Sequence, residues 1–109
     1  MPQETPIACT LNPDDRQARI ATARELGGRA LVGLEVRDRR ALLRFHGDQE
    51  GVAALVRAES ECCAFFEFAT TRQGEATELE IRTPEGGEPL LRGLVAGIVA
   101  GWEAAGPQG

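Results

Sequence analysis

Apolar and polar positions change period several times along this chain. Val32, Leu34 and Val36 alternate with Gly33, Glu35 and Arg37, the period of two expected of a half-buried strand. Asp38, Arg39 and Arg40 make a polar turn, and ALLRFH, from Ala41 to His46, returns as a second strand. Gly47 and Asp48 then punctuate and cap a helix, QEGVAALVRAESECC. Its Val52, Leu55, Val56, Glu59, Cys62 and Cys63 recur three, four and seven residues apart, so they share one helical face. AFFEFATT reads as a third strand from Ala64. After a turn at Gly74, Thr77, Leu79, Ile81 and Thr83 alternate against Glu78, Glu80 and Arg82 as a fourth.

Two further helices flank this core. The first runs through LNPDDRQARIATARELGG, with Asn12 as cap, Pro13 at the first helical position, and Asp14 and Asp15 at the positive end of the dipole. Gly27 and Gly28 are the expected left-handed stop, and Ala18, Ile20, Ala23 and Leu26 the apolar material. After a loop from Pro84, the last helix spans about Pro89 to Ala105, with Leu91, Leu94, Val95, Ile98 and Trp102 in one stripe. Gly93, Gly97 and Gly101 recur every fourth residue there, each costing a helix about 1 kcal/mol relative to alanine. Close packing explains them, preferentially against the sheet. Contact with the first helix, or a homodimer through this glycine face or through the sheet, are the other readings.

The order α-ββα-ββα predicts an α+β fold: a four-stranded antiparallel sheet covered by helices on one face, related to a circularly permuted ferredoxin-like plan. The 109 residues make one domain, 1–109, with a loose N-terminal segment (1–11) and a short tail (106–109).

Composition narrows the function classes. The net charge of −5 argues against a nucleic-acid partner, which needs clustered positive potential. The arginines, including Arg16, Arg19, Arg24 and Arg29, are interleaved with acids and read as solvated faces. The start of the chain lacks the basic and apolar runs of a signal peptide. LLRGLVAGIVAGW is too short to span a bilayer. A cytoplasmic protein with no membrane partner is expected, its thiols reduced. Three cysteines do not make a disulfide framework, which leaves packing, metal binding or thiol chemistry.

Glu59 is the unexpected residue of the second helix, because an acid among buried aliphatics must be paired, hydrogen-bonded or bound to something. It precedes Cys62 by three residues and Cys63 by four, so its carboxylate reaches the space before both sulfurs. Two thiols and a carboxylate suit a soft or borderline ion, with Cys9 as a third sulfur if the N-terminal segment folds over the helix end. The candidates are Hg(II), As(III), Cu(I) or Zn(II), and no organic cofactor is indicated. Adjacent cysteines point roughly a hundred degrees apart on a helix, so joint chelation requires the helix to end near Cys62. The competing reading is that Cys62 and Cys63 pack as small hydrophobes. Phe65, Phe66 and Phe68 read as core, or as the wall of a pocket; His46 reads as a surface residue.

IACTL, AESECCAFFEF and LEIRTPEGGEPLLRGL together resemble a family of short bacterial proteins with an N-terminal CTL and a central ExxCCxFF motif. Some of its members are linked to resistance against mercury and other heavy metals. The resemblance runs from about Pro6 to Leu94 and rests on Cys9, Glu59, Cys62, Cys63, Phe65 or Phe66, and Pro84. It implies that Cys9 belongs with the cysteine pair.

Three functions follow as expectations. The first is a soft-metal site formed by Cys9, Cys62, Cys63 and Glu59, used in detoxification and extendable to protonolysis of a carbon–mercury bond with Glu59 as proton donor. The second is a thiol-dependent enzyme acting on a small electrophile with Glu59 as base; the absence of a nearby cation in sequence counts against it. The third is a non-catalytic, dimerising interaction module.

Overall fold

The computed structural model describes residues 13–105, with side chains for all of these except 13–16 and 62. It contains α1 (Pro13–Ala30), β1 (Leu31–Arg37), β2 (Arg40–His46), α2 (Gln49–Cys62), β3 (Glu67–Gln73), β4 (Ala76–Arg82) and α3 (Glu88–Ala104). The expected α-ββα-ββα order and α+β class are therefore present. The strands form one antiparallel sheet in the order β1-β2-β4-β3, the order that permuting a βαββαβ plan would give. Among the described residues no helix is long and apolar enough to cross a membrane.

Two-residue connections close both hairpins, since Arg37 pairs with Arg40 and Gln73 with Ala76. Asp38 and Gly74 take positive φ there, 49° and 63°, a region tolerated by aspartate and open to glycine. One sheet face is apolar: Ala41, Leu43 and Phe45 of β2 and Leu79 and Ile81 of β4 are fully buried. Leu26 and Ala30 of α1, Val52 and Leu55 of α2, and Leu91 and Ile98 of α3 complete the core. The other face is solvated. Arg40 and Arg82 both pair with Glu80, and Arg44 with Glu78.

Five details differ from the sequence reading. α1 does not stop at Gly27 and Gly28 but continues to Ala30. These glycines lie against α3 instead: a Cβ on Gly27 would sit 1.9 Å from the Ile98 carbonyl oxygen, and one on Gly101 1.8 Å from that of Arg24. Helix-on-helix contact, not helix-on-sheet packing, thus explains Gly101, whereas Gly93 has open space around it. Ile20 is exposed, because α1 buries the stripe Ala23, Leu26 and Ala30 and Ile20 lies at its margin. Val32, Leu34 and Val36 are exposed as well, since β1 is an edge strand of which the helices bury only the first residue, Leu31. β3 begins at Glu67 rather than Ala64, because a turn intervenes in which the Phe66 N–H donates to the Cys63 carbonyl at 3.0 Å.

Candidate functional site

The start of α2 is built as its sequence suggests. Asp48 adopts the left-handed conformation (φ 47°, ψ 50°), and its carboxylate accepts from the Gly51 N–H at 3.1 Å. A side chain on Gly51 would collide with that carboxylate, at 2.4 Å from Oδ2. Arg29, in the last turn of α1, pairs with Asp48 at 2.8 Å. The cap fixes the rotation of α2, which turns Val52, Leu55, Glu59 and Cys63 inward; each is 2 % exposed or less.

The helix ends where joint use of the two sulfurs needs it to end. Cys62 is its last residue, and Cys63 leaves helical geometry with φ −122° and ψ 76°. The Cys63 N–H still donates to the Glu59 carbonyl at 2.6 Å, so the last turn holds Glu59 and Cys63 on one side. The side chain of Cys62 and the whole of Cys9 lie outside the described residues. Among those described, no group of three metal-ligating side chains forms.

Arg19 is the residue the sequence reading missed. From α1 its guanidinium Nε donates to Glu59 Oε2, and its side chain is only 13 % exposed. The signal was available: Arg19 precedes Ala23, Leu26 and Ala30 by four, seven and eleven residues and so belongs to the buried stripe of α1. The expectation that all these arginines are solvated is corrected at this position. Glu59 Oε1, by contrast, is buried with no hydrogen-bond partner among the described residues.

Burial dominates the electrostatics. It pushes the Glu59 carboxyl above its ordinary value, while the hydrogen bond and charge of Arg19 hold it back. The Cys63 thiol is also pushed up by burial, with Arg19 opposing and Glu59 reinforcing the shift. Arg19 thus supplies the cation that the linear sequence lacked beside the cysteines, yet burial outweighs it.

The phenylalanines divide. Phe66 stacks edge-on between Phe65 and Phe68, at centroid distances of 4.7 and 6.0 Å, and Phe65 and Phe66 are buried in the core. Phe65 also borders an open cleft of about 1010 Å³ with Ala64, Arg39, Thr83 and Pro84. Neither Glu59 nor Cys63 lines this cleft. His46 is exposed and faces Glu75 at 3.3 Å, consistent with a surface role.

Comparisons with protein-family models, with curated proteins and with solved structures return no match for this chain. The end of α2 holds a buried acid–guanidinium pair on the same side as a buried thiol.

Proposed function

We propose that the protein binds a soft, thiophilic metal ion at the C-terminal end of α2. Cys62 and Cys63 supply thiolates, Cys9 joins them from the N-terminal segment, and Glu59 serves through Oε1 as a further ligand or as the acceptor of a thiol proton. The observation that carries this reading is Oε1 itself, a fully buried carboxylate oxygen on the helical face of Cys63 with no hydrogen-bond partner among the described residues. A buried polar atom of this kind is rare unless something else satisfies it.

Charge balance supports the reading and narrows the ion. Glu59 and Arg19 neutralise one another, so a bound ion and its thiolates should add no net charge to a buried site. With all three cysteines as thiolates As(III) is balanced; Hg(II) or Zn(II) is balanced when two are thiolates and the third stays a thiol, and Cu(I) with two or three thiolates leaves an excess negative charge. Use in heavy-metal detoxification is consistent with this chemistry and with the family resemblance. Because the ligating thiols must lose protons on binding, affinity rises with pH.

Titration with Hg(II), As(III), Zn(II) and Cu(I), followed by mass spectrometry under native conditions, tests the proposal. One ion per chain is expected, and Glu59→Gln should weaken it about 10–100-fold, the usual effect of losing a supporting ligand partner. Absence of stoichiometric binding by any of the four ions overturns it.

A further inference from the structure

The two edges of the sheet are unlike. β3 presents Glu67, Thr70, Thr71, Arg72 and Gln73 to solvent, the polar edge that discourages strand addition. β1 instead leaves Val32, Leu34 and Val36 exposed at 59, 42 and 40 %. Leu34 and Val36 sit opposite Leu43 and Ala41, both fully buried. They therefore extend the apolar helix-side face of the sheet past the point where the helices stop covering it.

We infer that β1 pairs antiparallel with β1 of a second copy of the chain, joining two sheets into one. The charge pattern of the strand selects both the partner and the register. Its only charges in the middle and end, Glu35 and Arg37, already pair with each other at 2.7 Å. In a two-fold arrangement centred on Leu34, Leu34 opposes the partner's Leu34, Val36 the partner's Val32, and Glu35 the partner's Gly33. Every exposed aliphatic then meets an aliphatic, and each carboxylate faces a residue with no side chain. Moving the centre to Glu35 would set that residue against itself, and like charges directly opposite are destabilising; moving it to Gly33 would set Glu35 against Leu31, which is buried against the core. The register shift between Leu31 and Gly33 is a bulge that bounds the new ladder and keeps it short. The dimer is accordingly a weak one, formed by mass action.

Sedimentation equilibrium of the full chain, in reductant and from micromolar to millimolar concentration, tests this. A monomer–dimer equilibrium is expected, with Leu34→Lys and Val36→Lys each weakening it at least about tenfold, the equivalent of roughly 1.4 kcal/mol. Thr71→Lys, on the opposite edge, should leave it unchanged. Circular dichroism reports whether each variant folds. If the lysine variants do not, amide exchange of the unsubstituted chain decides, since protection at residues 33–36 should rise with protein concentration. A monomer at every concentration, a dimer unaffected by both lysines, a dimer seen only without reductant, or concentration-independent exchange overturns the inference.

Discussion

Glu59 and Arg19 set the chemistry of the α2 terminus, and each depends on the other for its place in the core. Glu59 is fully buried and Arg19 nearly so, and removing one member of such a pair strands the other's charge. Glu59→Ala should therefore cost about 3–5 kcal/mol of stability, read as a lower urea midpoint. The pH dependence has a definite sign. The folded carboxyl is raised above its ordinary 4.5, so its contribution is fully present below that value and is lost as pH rises through the folded one. In the metal-free protein, urea midpoints should decline across that window, and Glu59→Gln should flatten the decline. Glu59 was legible in the sequence because an acid interrupts an otherwise apolar helical face. Arg19 was not, because arginines are ordinarily exposed and its stripe is made mostly of alanine, which carries a weak hydrophobic signal.

Among the elements, the helices were easier to find than the reasons for their glycines. Asp48 and the apolar face of α2 were readable, since a cap and a period of 3.6 are local properties. The Gly27-Gly28 pair imitates a helix stop, and only the approach of α3 shows that it is a contact surface. This gives two predictions of opposite sign. Gly101→Ala forces a Cβ into the Arg24 backbone, which cannot swing aside as a side chain would, and should lower stability by about 1–3 kcal/mol. Gly93→Ala meets nothing within 4 Å and should raise it by about 0.5–1 kcal/mol. Thermal unfolding of the two variants beside the parent chain distinguishes them. The start of β3 was misplaced for a related reason: Cys62, Ala64, Phe66 and Phe68 share a strand-like parity, but the turn at Cys63–Phe66 buries Phe65 and Phe66 alike.

At the scale of the molecule, the sheet has one face under helices and one in water, and the proposed ion site lies in the helical layer rather than in an open cleft. The α+β class and element order were readable because hairpin turns and helix caps leave short-range marks. The burial of β1 was not, because its alternation is the same whether a strand is central or at an edge. The proposed location has a kinetic consequence: Cys63 is wholly buried, so uptake of an ion there would require the end of α2 to open. The central claim is that Cys9, Cys62, Cys63 and Glu59 act on a single ion. Its most direct test is to add one equivalent of Hg(II) or As(III) to the reduced protein, alkylate, and map the modified cysteines by peptide mass spectrometry. Protection of all three thiols by one equivalent, weakened in Glu59→Gln, is the expected result. Cys9 alkylated equally fast with and without the ion would contradict the shared site.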